Sequence, residues 1–511
     1  MAVTAPLPSP RDEIQRAETA GSGGRPTGPW LWLVPFVLTA AVTGFGLTDS
    51  LLGRDELVTW DMVNRGTGRI LATLRHVDAV HGTYYLLMHA WVGLFGDSTV
   101  SLRLPSLLAV AGAASVVALL GDRIFGSRAG LTAGTLFSLL PAVSRYGQEA
   151  RSYAWVMFAV ALATLLLLRA LDTPRSPWRW AAYALALPGV GLLHLIALSV
   201  VPAHVLLIAA HARRDRTLWW KPALALLPAA ACVTPLVLLG RSQAQRQLYW
   251  VPKPDGWALI SVWQDVFASA LTAGALITLA VLARSPRRTP LLVCAVWALV
   301  PPVIVWLNSH GDVSYFRQVY LLFTLPAWTL LAGAGLTAVC RSWKAAAAVL
   351  VALAVLTLPD QARMRQPFEH DAPVPLDYAA AADVVRLHHQ PGDAVVYDRE
   401  STWKLDGGVQ YYLPRGLRMR DVFLSKAPGA IDQLYTLDCP APARCLKGEQ
   451  RVWLLTQGND PDPLTAINQG QADALRAQYR TSWSRPVTGM TVTLLVRRAT
   501  AQPPGSSEPA R

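Results

Sequence analysis

The residues best suited to chemistry gather just beyond the first apolar segment of the chain, where Arg54-Asp55-Glu56 open a polar stretch. Two adjacent carboxylates at a bilayer face cost desolvation unless they touch water or a cation. One reading is general-base chemistry, in which a carboxylate takes a proton from an acceptor hydroxyl during group transfer. The other is a helix N-terminus, where Asp and Glu are favoured by the helix dipole.

Further polar and aromatic residues follow in the same stretch: Asp78, His81, Tyr84, Tyr85, His89 and Trp91, then Gly96 and Arg103-Leu104-Pro105-Ser106. Asp78 and His81 are three apart and share a helix face. They suit a charge pair that orients an anionic headgroup; with His76, the lesser reading is a divalent-metal triad. A second polar turn reads Arg145-Tyr146-Gly147-Gln148-Glu149-Ala150-Arg151-Ser152-Tyr153. Arg145, Arg151 and Arg317 stand at the ends of apolar segments, where a guanidinium steadies a phosphate or snorkels to headgroups. Gln148 and Glu149 suit sugar hydroxyls, the orienting of an arginine, or a solvated turn. His194 sits at a turn within reach of such a site, but a helix-packing role is preferred for it, as for His204. A Gly-rich phosphate loop, a Cys/His cluster and a Gly-x-Ser-x-Gly elbow are missing from the sequence.

The elements that must position these residues are set by composition. Of 511 residues, 52% are hydrophobic and only 15% charged, with 19 tryptophans; soluble domains carry about 25% charged residues. A polytopic α-helical membrane protein follows. The net charge of +13 does not indicate nucleic acid binding, because most basic residues lie in short turns between apolar segments. Apolar stretches occur at about 30–47, 101–120, 128–146, 151–170, 178–193, 194–211, 218–240, 259–283, 290–307, 319–340 and 344–360, giving about 11 transmembrane helices. The first is expected to stay uncleaved, because the Pro/Gly/Ser-rich tail of residues 1–28 is too long for a signal peptide and no small-residue cleavage site precedes the polar loop. Cys232, Cys294 and Cys340 fall in apolar stretches as small hydrophobes.

Arg123, Arg128, Arg169, Arg175, Arg213, Arg214, Arg284, Arg287, Arg288 and Arg341 crowd one set of alternate short loops. By the positive-inside rule these loops and the N-terminus are cytoplasmic. The first loop, 49–100, is then outside; it is longer than a connection needs, and 56–76 and 81–95 read as interfacial helices. Residues 361–498 also fall outside. They alternate helix (Pro375–His389, 463–479) with apolar strand (Ala394–Tyr397, Arg451–Thr456, Met490–Arg497), which predicts a small α/β domain. Cys439 and Cys445 would lie on its oxidising side and suit a disulfide. Residues 499–511 form a second tail.

Taken together and in this order, several motifs resemble the GT-C membrane glycosyltransferases, particularly glycosyltransferase family 39 with its protein O-mannosyltransferases and aminoarabinose transferases. They are the acidic pair Asp55-Glu56, the Tyr84-Tyr85-Leu86-Leu87 helix ending in Phe95-Gly96, Arg103-Leu104-Pro105-Ser106, and the Gln148-Glu149-Ala150-Arg151-x-Tyr153 turn. The resemblance covers about residues 30–360. Two places depart from the pattern: His81 is followed by Gly82-Thr83 where many relatives have prolines, and Tyr315-Phe316-Arg317 replaces a Pro-Arg-Tyr triplet.

The resemblance implies a GT-C fold and inverting transfer from a polyprenyl-phosphate sugar to an acceptor hydroxyl at the outer face of a cell membrane. Asp55 is then the base, with Glu56 beside it. Asp78, His81, Tyr84, Arg103, Arg145, Gln148, Glu149, Arg151 and Arg317 become candidates for binding the donor phosphate or sugar. No cofactor is required on this reading. Partners are the polyprenyl donor, membrane lipid and a glycan, lipoglycan or protein acceptor; mannose and a pentose such as arabinofuranose both remain open. A polyprenyl-glycan transporter or flippase is the alternative, but its ionisable groups belong near the midplane of repeated halves, and here they gather at one face. A receptor-like scaffold leaves Asp55-Glu56 unexplained.

Overall fold

The structure, a computed structural model, describes residues 28–213, 215–368 and 374–498. Apart from Gly28, the tails expected at 1–28 and 499–511 lie outside the described residues.

Helix α1 (Trp30–Gly44) is followed by α2 (Arg54–Val63), α3 (Thr67–His76) and, after a 3-10 turn at Ala79–His81, α4 (Gly82–Phe95). Next come α5 (Thr99–Phe125), α6 (Ser127–Leu139), α7 (Pro141–Gly147), α8 (Tyr153–Asp172), α9 (Pro177–Leu193) and α10 (Val201–Ala212). They continue as α11 (Lys221–Leu248), α12 (Ala258–Val266), α13 (Ala270–Val281), α14 (Arg288–Asn308), α15 (Leu325–Val339) and α16 (Trp343–Arg363). Every apolar stretch read from the sequence is therefore helical.

Among the described residues, seven stretches are long and apolar enough to cross a bilayer, counting the 3-10 turns that lead into α10 and α15. The pair α12–α13, bent by 106°, makes an eighth. The chain is a multi-pass membrane protein. The three remaining expected segments are shorter: α1 has 15 residues and α9 has 17, and α6–α7 is interrupted at Leu140-Pro141. Proline disfavours helical backbone in the residue before it, and Leu140 is accordingly extended at φ −65°, ψ 127°.

Close helix approach depends on small residues. A Cβ at Gly130 of α6 would collide with the backbone of α5 at Ala118 and Asp122, and one at Gly335 of α15 with the Leu279 carbonyl of α13.

Beyond α16 the chain forms α17 (Tyr378–His388), β1 (Ala394–Tyr397), α18 (Leu405–Tyr412), β2 (Arg420–Asp421), β3 (Leu424–Lys426), β4 (Leu437–Asp438) and α19 (Pro442–Cys445). It ends with β5 (Arg451–Gln457), α20 (Gln469–Gln478), β6 (Tyr479–Val487) and β7 (Met490–Arg497). The main sheet runs β2-β1-β5-β7-β6, with β1 parallel to β2 and β5, and β7 antiparallel to β5 and β6. The strands β1, β5 and β7 coincide with apolar runs. β6 had no such signal, because as an edge strand it is largely exposed. A disulfide joins Cys439 to Cys445.

The short helices of the first loop do not stand alone against a bilayer surface. Leu57 and Met62 of α2 and Tyr84 and Tyr85 of α4 share one apolar core with Tyr378, Leu405, Val409 and Trp453 of the C-terminal region. Backbone ties reinforce it: Leu52 N–H donates to the Tyr412 hydroxyl at 2.9 Å, and Arg65 donates to the Gln433 carbonyl at 2.9 Å.

Gly335→Ala is expected to lower the melting temperature in detergent, since backbone must move to admit the methyl. Gly274→Ala on α13, with open space around it, should leave it unchanged or raise it; equal behaviour of the two would refute this packing.

Candidate active site

The site is built on the start of α2. Glu56 occupies the third helical position, and its carboxylate accepts from the Gly53 N–H at 3.0 Å, half of a capping box. The same carboxylate accepts from Arg103 Nε at 2.9 Å, from Arg103 Nη2 at 2.7 Å and from the Ala150 N–H at 2.9 Å. Arg103 donates its other protons to the carbonyls of Leu47, Ser50 and Leu51 at 2.8–3.0 Å. These side chains are 1% and 4% exposed for Arg103 and Glu56 respectively. Although both border the cavity described below, their hydrogen-bonding capacity is spent on one another and on backbone. In this structure the expected catalytic carboxylate Glu56 and donor ligand Arg103 act on each other: the pair clamps the loop after α1, the start of α5 and the turn after α7 into one frame.

Asp55, one residue earlier, points elsewhere because successive helical residues are rotated by about 100°. Its side chain is 40% exposed and opens on a cavity of about 360 Å³, which Arg145, Tyr146, Gln148, Glu149, Gln264, Asp265, Gln318, Asp360 and Arg363 also line. Arg54 Nε lies 3.6 Å and Arg151 Nη2 3.9 Å from its carboxylate. Burial pushes the Asp55 carboxyl up, but the charges of Arg151, Arg54 and Arg317 outweigh it and hold the group below the ordinary aspartate range. Asp55 is thus a carboxylate favoured in its charged form and facing a hollow.

Behind Asp55, Arg151 Nη1 donates to the Tyr85 hydroxyl at 2.9 Å, and that hydroxyl donates to Asp78. Asp78 has left-handed backbone, φ 62°, which Asp tolerates better than most residues. Burial raises the Asp78 carboxyl despite Arg151 nearby. His81 Nε2 is 3.9 Å from Asp78, but burial and the Arg151 charge hold the imidazole well below its usual pKa and so neutral. The expected Asp78–His81 charge pair is thus a carboxyl beside an uncharged ring. Several buried polar atoms here lack a partner: Arg151 Nε, His81 Nδ1, Ser152 Oγ and Trp155 Nε1. Buried donors are nearly always satisfied, so a knot of unsatisfied ones marks a place for an acceptor-rich group.

Trp155 also borders an apolar groove of about 450 Å³ between α5, α8 and α9, with Pro105, Leu108, Phe158, Leu162, Ala186, Gly189 and Leu193. The Tyr84 ring stands edge-on to Trp155 at 5.6 Å, and burial pushes its hydroxyl pKa up. An apolar groove and a polar cavity are therefore linked through Trp155, Tyr84, Tyr85, Arg151 and Asp55.

The remaining candidates separate. Arg145 and Glu149 line the polar cavity. Gln148 lines it too, but its amide is committed to the carbonyls of Thr43 and Phe45 at 2.7 and 3.0 Å. Arg317 lies over the Trp250 ring at 4.9 Å, with its charge felt at Asp55. His194 packs against Tyr320 at 4.8 Å and lies 6.3 Å from His81, ring to ring. His204 is held in the bundle by Thr164 and Tyr183. His76 is exposed at the end of α3, and among the described residues no three His, Cys, Asp or Glu side chains are placed to hold a metal ion.

Sequence reasoning missed Gln264, Asp265, Asp360 and Arg363 on the cavity wall and Trp155 on the groove. A signal existed for Asp265: it is the one acidic residue in the apolar stretch 259–283, and a carboxylate within such a stretch faces a hollow or a partner.

This architecture is the GT-C fold of membrane glycosyltransferases. Residues 83–238 match the profile of the dolichyl-phosphate-mannose-protein mannosyltransferase family. Among solved structures, the chain is similar to ArnT from Cupriavidus metallidurans bound to undecaprenyl phosphate, with TM-score 0.60 and 15% identity over 94% of this chain and 100% of that one. The apo state of the same protein matches with TM-score 0.59 and 15% identity, over 91% and 97%. The arabinofuranosyltransferase AftD from Mycobacteria matches with TM-score 0.50 and 17% identity, over 93% of this chain and 42% of that one. No curated protein matches the sequence.

Arg103→Met leaves Glu56 buried without its ion partner, which costs about 3–5 kcal/mol. A drop in thermal stability of the purified protein measures it; a melting temperature equal to wild type would show that the clamp carries no such load.

Proposed function

We propose that the protein is an inverting glycosyltransferase that moves a sugar from a polyprenyl-phosphate donor to an acceptor hydroxyl. The observation that carries this reading is the position of Asp55, an ionised carboxylate between a polar cavity and the unsatisfied donors around Arg151 at the head of an apolar groove. A donor with an isoprenoid tail and an anionic head suits the groove and those donors in turn. The ArnT structure bound to undecaprenyl phosphate supports the lipid class.

In the reaction, Asp55 accepts the proton of the acceptor hydroxyl while its oxygen attacks the anomeric carbon. The bond from that carbon to the phosphate oxygen breaks, and the electron pair leaves with the polyprenyl phosphate. Arg151 stabilises the growing phosphate charge, assisted by neutral His81 and the Trp155 indole N–H, because fixed donors act strongly in a water-poor site. Asp78 and Tyr85 keep Arg151 aimed. Opposite environments set the two aspartates apart, one ionised and one pushed toward its acid form, as acid–base sites commonly require.

Arg145, Glu149 and Arg317 complete the polar wall on the acceptor side or around the sugar. A hexose such as mannose and a pentose both fit the reading, and the acceptor is a glycan, lipoglycan or protein. The positive-inside reading of the basic loops supports a site at the outer face of the cell membrane with the C-terminal domain outside. A flippase is the second reading, favoured by the broken α12–α13 pair, but it gives no role to an ionised Asp55.

Reconstituted full-length protein with polyprenyl-phosphate mannose or pentose donors and a panel of acceptors tests the proposal. Asp55→Asn should cut transfer by roughly 10²–10⁴ with the fold intact, and wild type should show no acidic limb from this group above about pH 4, because the charged form is favoured. Undiminished transfer by Asp55→Asn would remove it from the base role. Arg151→Lys keeps the charge but loses the fork; it is expected to raise the donor KM and lower kcat, and unchanged kinetics would move the phosphate elsewhere.

A further inference from the structure

Asp55 is flanked by two guanidinium groups of different origin. Arg151 belongs to the membrane-embedded part of the site. Arg54 is 27% exposed, and its guanidinium carbon lies 4.8 Å from the ring centre of Trp403, which comes from the C-terminal domain. An exposed arginine without such a platform relaxes into water, where its charge is screened. A planar, weakly hydrated guanidinium stacked on an indole face is held in place.

Trp403 is itself fixed on both sides. Its carbonyl accepts from the Tyr378 hydroxyl at 2.7 Å and its N–H donates to Ser401 Oγ at 3.3 Å. The next residue, Lys404, has left-handed backbone, φ 53°. Its ammonium donates to the Leu434 carbonyl at 2.8 Å and lies 3.6 Å from Asp61 of α2. This segment is therefore pinned against the helix that carries Arg54 and Asp55, and the shared apolar core lies beneath it.

We propose that Trp403 is a positioning residue for the base: its indole face holds the Arg54 guanidinium beside Asp55, so the C-terminal domain is a working part of the site rather than a separable binding module. The proposal rests on the reading of Asp55 as base. Other charged or titratable groups act on Asp55 or share its cavity: Asp78 and His81 from the first loop, Arg145 and Glu149 from α7 and the turn after it, Arg151 and Tyr153 at the start of α8, Asp265 from α12, Arg317 and Tyr320 before α15, Asp360 and Arg363 from α16, and Tyr435 from the C-terminal domain. Arg54 adds to Arg151 and Arg317 in favouring the carboxylate. Its release therefore favours the neutral acid and moves the acidic limb of the rate to higher pH.

The test uses full-length protein in nanodiscs, with two readouts: the acidic limb of transfer from polyprenyl-phosphate mannose, and infrared titration of the Asp55 carboxyl taken as the difference from Asp55→Asn. Trp403→Leu should raise the midpoint by ~0.3–1 pH unit, and Trp403→Phe should restore most of the wild-type value. Arg54→Gln should raise it at least as far, with the double variant no higher than Arg54→Gln alone, as coupling through one group requires. If Trp403→Leu fails to fold, a fluorinated tryptophan at 403, which keeps the shape and weakens the ring face, should give a shift of the same sign. An unmoved midpoint, or additive shifts in the double variant, overturns the proposal. Undiminished transfer by Asp55→Asn would instead sink the base reading, while the infrared titration still reports whether Trp403 holds Arg54 to Asp55.

Discussion

The buried pair between Glu56 and Arg103 is the constraint from which the site follows. Each group saturates the other and then takes up backbone from two separate stretches of chain, the run from Leu47 to Gly53 and Ala150, while Arg103 itself stands on α5. Such a pair is a poor source of net stability, because desolvation consumes most of its attraction. What it provides is geometry. With Glu56 locked inward, the preceding carboxylate on the same helix turn faces the hollow, within reach of Arg54 and Arg151.

Around that axis the protein separates two solvents. On one side lies a groove lined almost wholly by apolar side chains, and on the other a cavity walled by Asp, Glu, Gln and Arg. The link between them is a short relay of hydroxyl and guanidinium, Asp78 to Tyr85 to Arg151. Low local polarity strengthens such a relay and makes any group left unpaired within it costly. Unsatisfied polar atoms occur elsewhere too, as at Trp328 and Gln361, but those of Arg151, His81, Ser152 and Trp155 belong to the residues of this junction or their immediate neighbours.

Much of this was legible in the sequence, for identifiable reasons. Apolar runs bounded by arginines gave the helical stretches, and the strands β1, β5 and β7 announced themselves by being buried on both faces. Asp55 and Arg151 stood out because charges next to apolar segments need a reason. The division of labour within the acidic pair was hidden, because adjacent carboxylates look alike until the partner of each is known. The partner of Glu56 is 47 positions away. Hydropathy alone does not register breaks such as Leu140-Pro141 or the 106° bend after Val266, so fewer unbroken long helices form than the apolar stretches suggest. The cavity wall from α12 and α16 carries no motif signature, because Asp265 and Asp360 stand singly within or at the end of apolar runs. Arg54 on Trp403 joins positions far apart in the chain, with nothing local to betray it.

The apolar core shared by the first loop and the C-terminal domain has a consequence for how the molecule is made. The Leu52 amide waits for a hydroxyl 360 positions further along the chain. At a ribosomal pace of about 5–20 residues per second, that partner arrives roughly 20–70 s later. During that interval α2 and α4 are already threaded, with their apolar faces uncovered and their final neighbours not yet synthesised. Maturation therefore runs against chain order: the segment that emerges among the first is among the last to reach its resting place.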